Sequence, residues 1–367
     1  MILWAMLAVI GISFVISLFA TSLSKRVSHR LGMLDHPGQH KAHAQPTPLL
    51  GGSAIFGAIL GPTLLGLALC RIWAARPESI PFWVPRELDV YIPGAAGRAL
   101  QALGILAAAG VLHVVGLIDD KRHLGPWLKL LVQTLVAAGV VFFCDVRILT
   151  VAGPALSIIA SILWLVVITN SFNLLDNMDG LAAGVGVICA AALLAAAAGM
   201  GQLFVSAWCA VLLGALLGFL PHNFPPARVF MGDAGSLVVG FLLAVVSCMT
   251  TYVRPGQADV SAILYGLLVP LLLMAIPLYD TFSVVWIRIR EGRNPMIGDR
   301  RHFSHRLLRR GMSVRTVVLT IYLCTGSTAI AASLLPHTAG VVPAVMILAQ
   351  AIFILLVIAL LEAPKRG

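Results

Sequence analysis

Residues 155–199 read ALSIIASILWLVVITNSFNLLDNMDGLAAGVGVICAAALLAAAAG, in which two long apolar runs enclose three Asn and two Asp within ten positions. An apolar run of about 20 residues is long enough to cross a bilayer as a helix. Polar side chains at the junction of two such runs must lie at one face of the membrane. This stretch therefore predicts membrane-spanning helices with a polar cluster where two of them meet.

The rest of the chain has the same arrangement of apolar runs joined by short polar segments. Of its 367 residues, 59% are hydrophobic and 11% are charged, which excludes an ordinary soluble domain. We predict an all-α, polytopic integral membrane protein, a single domain over residues 1–367, with about eleven transmembrane helices. No internal sequence repeat is found. The eleven runs are 2–20, 51–71, 99–118, 127–145, 155–170, 180–199, 203–220, 235–252, 260–283, 315–335 and 339–361.

The basic residues predict the orientation. Lys25, Arg26 and Arg30 follow the first run, which favours a first transmembrane helix with its N-terminus outside. With eleven helices the C-terminus is predicted to be cytoplasmic. Of the 25 Lys and Arg, 19 then fall on the inner side. We expect a multi-pass protein of the bacterial inner membrane that contacts membrane lipids and binds no nucleic acid. The six Cys lack metal-ligand spacing and are interpreted as packing residues.

Carboxylates collect on the same inner side. A charged side chain within a membrane segment costs roughly 2.5–3.5 kcal/mol on insertion scales, so such residues suggest function. Helix capping is the alternative for any one of them. Their clustering favours an active site at the cytoplasmic face. The carboxylates at inner helix ends and short inner loops are Asp119, Asp120, Asp176, Asp179, Asp233 and Asp280.

The segments GLIDDKRHLG (116–125) and VFMGDAGS (229–236) suggest binding of a cation and of phosphate. Adjacent carboxylates repel each other, so such a pair awaits a cation or shares a proton. Free amides at a helix start favour phosphate. A hard cation such as Mg²⁺ takes carboxylate and phosphate oxygens. Asp176, Asp179 and Asp233 could supply the carboxylates, and a nucleoside diphosphate the phosphates.

Three further segments add candidate ligand-binding groups. KAHAQPTPLLGG (41–52) carries Lys41, and GDRRHFSHRLLRRG (298–311) carries His302 and His305 among several Arg. Arginine and imidazolium suit pyrophosphate, although a basic patch for lipid headgroups is the alternative. In HNFPPARVF (222–230), Phe230 could stack on a base while Asn223 hydrogen-bonds it. Phe230 could equally be a packing residue.

The segments PTPLLGG, GLIDD, NSFNLLDNMDGL, HNFPPARVFMGDAGS and RRHFSHRL occur in this order along nearly the whole chain. Together they resemble the polyprenyl-phosphate N-acetylhexosamine-1-phosphate transferases of glycosyltransferase family 4. The resemblance implies transfer of a sugar 1-phosphate, with GlcNAc 1-phosphate expected, from a UDP-N-acetylhexosamine to undecaprenyl phosphate. UMP would be released, in the first step of a cell-envelope glycan pathway such as that of lipopolysaccharide.

The resemblance also implies roles for individual residues. Asp233 and Asp176 would hold Mg²⁺, with Mn²⁺ as an alternative, and Asp119 and Asp120 would face the lipid phosphate. These four are the expected catalytic set. Residues matching the nucleotide pocket are Lys41, Thr47, Asn173, Asp179, Asn223, Phe230 and Ser236. Residues matching the loop for pyrophosphate and sugar are Arg301, His302 and His305.

The sequence departs from the family pattern at three positions. His123 stands where an acidic or amide residue is common, Asn177 where the family has Gly, and Ser304 where it has His. None of these changes removes a carboxylate that the metal chemistry needs. The third leaves the sugar specificity open.

Two other functions are alternatives to this transferase. A secondary transporter would place its carboxylates at the bilayer midplane with repeat symmetry, which the sequence lacks. A phospho-MurNAc-pentapeptide transferase of peptidoglycan synthesis shares the Asp motifs but has a more His-rich loop. The Arg-rich RRHFSHRLLRR favours the hexosamine branch. Small residues in 190–199 would suit contacts within one chain or in a homodimer, and the sequence leaves that choice open.

Overall fold

The computed structural model describes residues 2–35, 46–82, 84–252, 260–296, 301–337 and 341–362. Within these ranges the chain is almost entirely helical, which confirms the all-α prediction. One antiparallel ribbon pairs β1 (Leu34–Asp35) with β2 (Thr47–Pro48). The helices are α1 Ile2–Leu31, α2 Gly51–Ala75, α3 Ile92–Gly97, α4 Ala99–Lys121, α5 Pro126–Phe143, α6 Pro154–Leu175, α7 Leu181–Gly199, α8 Leu203–Asn223, α9 Gly232–Met249, α10 Val260–Leu273, α11 Ala275–Arg290, α12 Phe303–Leu308, α13 Val314–Leu334 and α14 Val341–Glu362.

Ten helices in the described part of the chain are each long and apolar enough to cross a membrane. Helices α10 and α11 together form a further span that bends by 73°, and counting this pair gives the eleven spans that the sequence predicts. Pro277 has no N–H to donate to the carbonyl of Leu273, four residues earlier, which interrupts the helix at this point. The Cys189 thiol on α7 donates to that carbonyl at 3.3 Å instead.

The helices continue further at their inner ends than the apolar runs predict. Helix α1 ends at Leu31 rather than near 20, and α6 ends at Leu175 rather than near 170. Asp119 and Asp120 lie in the last turn of α4. Hydropathy misplaces the end of α6 because polar side chains there find partners inside the protein, such as Asn173 with Asp233. On α1 the added turns carry the exposed Arg26, His29 and Arg30, so this helix continues beyond its apolar run with basic side chains on its surface.

Helices α8 and α9 form the centre of the bundle, where nearly all of their side chains are buried. The outer helices instead expose large apolar side chains, such as Trp4, Phe143 and Leu360, in the manner of lipid-facing surfaces. Gly214 and Gly218 of α8 lie four residues apart against the backbone of α1, so that the two helices approach closely.

Two glycine contacts bring α2 and α4 against the start of α9. Gly52 meets the backbone of Gly235, and Gly116 meets the backbone of Ala234. The Gly52 amide also donates to the carbonyl of Met231 at 2.9 Å. These backbone contacts fix where α9 begins, and α9 carries Asp233 in its first turn.

We expect Gly52→Ala to destabilise the protein, because the added Cβ would overlap the backbone of Gly235. Overpacking of this kind costs about 1–3 kcal/mol. The matched control is Gly57→Ala in the same helix, where a Cβ meets no atom within 4 Å. Thermal unfolding of the detergent-solubilised variants measures both changes. Equal melting temperatures for the two variants would contradict the proposed backbone contact.

Candidate active site

A cavity of about 1120 Å³ opens at one end of the bundle. The ends of α1, α4, α8, α9 and α13 contribute to its wall, together with α12 and the loops between helices. The predicted site residues that line the cavity are Thr47, Asp119, Asp120, Asp176, Asp179, Asn223, Phe230, Asp233 and His305. The structure therefore brings together five carboxylates that the sequence distributes over more than 100 positions.

Lys129 of α5 joins two of these carboxylates. Its Nζ lies 2.8 Å from Oδ2 of Asp119 and 2.8 Å from Oδ2 of Asp233. The lysine side chain is 20% exposed, so solvent screens this contact only in part. Lys129 is not among the site residues predicted from the sequence. The available signal was a single charge near the start of an otherwise apolar run, PWLKLLVQ (126–133).

Asp120 accepts two hydrogen bonds from the start of α9. Its Oδ1 accepts from the Asp233 amide at 2.8 Å, and its Oδ2 accepts from the Ala234 amide at 3.1 Å. Both amides belong to the first turn of α9, whose partial positive charge favours a carboxylate. Gly232 has φ +67° and leaves room, since a Cβ there would lie 2.6 Å from Asp120 Oδ2. Asp120 therefore positions Asp233.

Asn173 and Ser236 lie beneath the cavity rather than in its wall. The Asn173 amide donates to Asp233 Oδ1 and to the Ser236 hydroxyl, each at 2.9 Å. Ser236 is completely buried. Both oxygens of Asp233 are thus held, one by Asn173 and the other by Lys129.

The loop from Asp176 to Gly180, between α6 and α7, is tied to the loop that precedes α9. Asp179 Oδ2 accepts from the Ala227 amide at 2.8 Å. Asn223 accepts from the Gly180 amide at 3.0 Å and donates to the Val229 carbonyl at 2.9 Å. These bonds hold Asp179 and Asn223 in the wall of one pocket.

Burial raises the pKa of Asp176 well above its ordinary value. The negative charges of Asp233, Asp120 and Asp179 raise it further, while a hydrogen bond from the Gly232 amide lowers it. The carboxyl group of Asp176 therefore holds its proton more tightly than an exposed aspartic acid does.

Phe230 and Thr47 form the opposite wall. The Phe230 amide donates to the Pro48 carbonyl at 2.8 Å, and the Gly51 amide donates to the Phe230 carbonyl at 3.1 Å. The ring is partly exposed to the cavity, while Thr47 is buried. Lys41, predicted for the same pocket, lies outside the described residues.

The two histidines of HFSH have different surroundings. His302 is 3% exposed, and its Nδ1 lies 2.8 Å from Oδ2 of Asp280, a fully buried residue of α11. Asp280 also accepts from the Phe303 amide at 2.9 Å. His305 lies one turn further along and lines the cavity. Arg301 does not line the cavity and pairs with Glu291.

Comparison with known proteins shows the family of this chain. The model of the family described as "Glycosyl transferase family 4" matches residues 102–251, which contain Asp119, Lys129, Asp176 and Asp233. A decaprenyl-phosphate N-acetylglucosaminephosphotransferase of Mycolicibacterium smegmatis is 33% identical over 98% of this chain and 89% of its own. The chain belongs to glycosyl transferase family 4.

Two further family 4 relatives come from other bacteria. A probable undecaprenyl-phosphate N-acetylglucosaminyl 1-phosphate transferase of Bacillus subtilis is 30% identical over 86% of this chain and 81% of its own. An undecaprenyl-phosphate alpha-N-acetylglucosaminyl 1-phosphate transferase of Escherichia coli is 26% identical over 82% and 76%. The similarity therefore extends over most of the chain in each case.

The carboxylates of this family 4 member fit a divalent cation that is shared with a substrate. Six carboxylates in the described part of the chain line the cavity, namely the five predicted ones and Asp35, and Lys129 pairs with two of them. Burial and the neighbouring carboxylates raise the pKa of Asp176. Within the described residues, no group of three His, Cys, Asp or Glu could enclose a metal by itself. Mg²⁺ is commonly held by one or two carboxylates plus substrate phosphates and water, which suits Asp176 and Asp233.

We expect Asp120→Ala to lower the free energy of unfolding by about 0.5–2 kcal/mol, the usual effect of losing a helix cap. The reason is that the Asp233 and Ala234 amides lose their acceptor. Asp120→Asn keeps one side-chain acceptor and should lie between Asp120→Ala and the wild type. Thermal unfolding measures this order. A variant Asp120→Ala as stable as the wild type would contradict the capping role.

The raised pKa of Asp176 predicts a pH dependence. A carboxyl group whose folded pKa exceeds its unfolded pKa binds protons more tightly when folded, so stability falls as the pH rises between the two values. In EDTA, wild-type protein should lose more melting temperature between pH 5 and pH 8 than Asp176→Asn does. Parallel pH profiles would contradict the shift. Adding Mg²⁺ at pH 8 should raise the wild-type melting temperature more than that of the variant.

Proposed function

We propose that this protein transfers N-acetylglucosamine 1-phosphate from UDP-N-acetylglucosamine to undecaprenyl phosphate. An oxygen of the lipid phosphate bonds to the sugar-bearing phosphorus, and the bond from that phosphorus to the bridging oxygen breaks. UMP leaves, and the lipid carries a sugar diphosphate. The observation that carries the proposal is the cluster of carboxylates in the cavity wall, two of which, Asp119 and Asp233, are joined by Lys129. The names of the three relatives support the substrates.

Asp176 and Asp233 would hold Mg²⁺ against the pyrophosphate. When bound, Mg²⁺ supplies charge neutralisation for the phosphate oxygens. Phosphoryl transfer requires mainly positioning and electrostatic stabilisation, which is the work we assign to the protein groups. Asn173 and Lys129 fix the two oxygens of Asp233, and Asp120 fixes its backbone.

We assign Asp119 and Lys129 to the binding of the lipid phosphate. A phosphate monoester loses its second proton with a pKa near 6, so the acceptor is already largely anionic at neutral pH. Deprotonation by Asp119 is therefore not required for attack. The positive charge of Lys129, shared between two carboxylates, would reduce the repulsion between that phosphate and the cavity wall.

The far side of the cavity suits the nucleotide. The partly exposed Phe230 ring would stack on uracil, with Thr47, Asp179 and Asn223 nearby in the same wall. His305 would face the pyrophosphate or sugar, while the His302–Asp280 pair would hold the start of α12.

The location proposed for this reaction is the cytoplasmic face of the bacterial inner membrane, with the N-terminus outside. The excess of Lys and Arg on that side supports the orientation. The product would begin a cell-envelope glycan, of which lipopolysaccharide is one example. Use of a MurNAc-pentapeptide donor is disfavoured by the relatives' names, all of which specify N-acetylglucosamine.

We expect purified protein to form lipid-linked product from labelled UDP-N-acetylglucosamine and undecaprenyl phosphate with Mg²⁺, and none with EDTA. Asp233→Asn should lower kcat at least about a hundredfold, the typical loss when a charge-stabilising group is removed. The control is Glu291→Gln, which changes a carboxylate outside the cavity wall. Near-normal transfer by folded Asp233→Asn would exclude the metal assignment. No transfer by folded wild-type protein with any UDP-N-acetylhexosamine would exclude the proposed function.

A further inference from the structure

Asn177 and Ser304 form a hydrogen bond that joins two loops of the site. The Ser304 hydroxyl donates to Asn177 Oδ1 at 2.6 Å, across 127 positions of sequence. Ser304 is completely buried, whereas Asn177 is partly exposed in the cavity wall. The Asn177 amide nitrogen donates to the Leu174 carbonyl at 2.7 Å. Both ends of the amide group are therefore engaged, which fixes its orientation.

The bond connects the carboxylates to the cavity-lining histidine. Asn177 follows Asp176 directly and precedes Asp179 by two positions, while Ser304 stands next to His305. A movement of α12 away from the carboxylate loop must break or stretch this bond. The distance between His305 and Asp176 thus depends on it.

Helix α12 has separate anchors on its other side. The His302–Asp280 pair attaches its start to α11. Arg306 donates to both carboxylate oxygens of Glu362 at the end of α14, at 3.0 and 2.9 Å. Tyr279 of α11 donates to the same carboxylate at 2.7 Å. A helix of six residues has little stability of its own, so these anchors keep it folded when the contact with Asn177 is lost.

We propose that Asn177 and Ser304 are positioning residues that set the spacing between the metal-site carboxylates and His305, and thereby the affinity for the donor pyrophosphate. This inference rests on the proposed function. Asn177 and Ser304 are also two of the three positions at which the sequence departs from the pattern usual in the family. Neither residue is assigned a role in bond making or breaking.

A double-mutant cycle tests the pair. The variants are Ser304→Ala, Asn177→Ala and the double variant, with Ser304→Thr as a conservative change that keeps the hydroxyl. The matched control is Ser171→Ala, a completely buried serine whose hydroxyl donates within its own helix to the Val167 carbonyl. For each variant, kcat, the KM for UDP-N-acetylglucosamine, the KM for undecaprenyl phosphate and the melting temperature are measured.

We expect each single alanine variant to raise the donor KM about tenfold, with the lipid KM unchanged and the melting temperature within about 3 °C of Ser171→Ala. The double variant should be no worse than Asn177→Ala, because the bond between Ser304 and Asn177 is already lost in that single variant. Ser304→Thr should retain a donor KM near that of the wild type. Additive losses, or equal changes in both KM values, would overturn the inference while leaving the proposed function intact. Absence of transfer by the wild-type protein would overturn both.

Discussion

One lysine between two carboxylates is the interaction on which the active end of this bundle depends. Asp119 ends α4, Asp233 begins α9, and Lys129 of α5 lies 2.8 Å from each. In a bilayer, apolar packing distinguishes poorly between a neighbouring helix and lipid, so polar contacts contribute strongly to fixing how helices meet. The Lys129 contact therefore joins three helix ends and holds two carboxylates of the cavity wall close together.

The polar side chains around Asp233 have different roles. Asp120 uses both oxygens to hold the backbone of α9, and Asn173 holds one oxygen of Asp233 from below. Gly52 and Gly116 let α2 and α4 approach closely enough for these bonds to form. Several polar residues near Asp233 thus orient other residues, and the proposed function leaves contact with the cation to Asp176 and Asp233.

Sequence patterns predicted the spans and the gathering of carboxylates well, because run length and the cost of charge in a bilayer act locally along the chain. They did not predict which side chains contact each other. Lys129 looked like an ordinary residue near a helix start, and nothing in the sequence pairs it with Asp119 and Asp233. Asp280 is fully buried against His302, and nothing in the sequence predicts that pair. Such pairs depend on three-dimensional register between helices, which hydropathy does not encode. The bend at Met274 was missed for the same reason, since two short apolar helices read as one run.

The attachment of α12 to Glu362 has a consequence for synthesis of the protein in the cell. Glu362 ends α14, whereas the carboxylates Asp119, Asp176 and Asp233 lie more than 100 positions earlier. During translation the bundle can insert and gather Asp119, Asp176 and Asp233 long before α14 emerges from the ribosome. Arg306 and Tyr279 can donate to Glu362 only after α14 has been inserted. A chain truncated before α14 would thus have the cavity carboxylates but lack the Glu362 anchor of α12, the helix that carries His305.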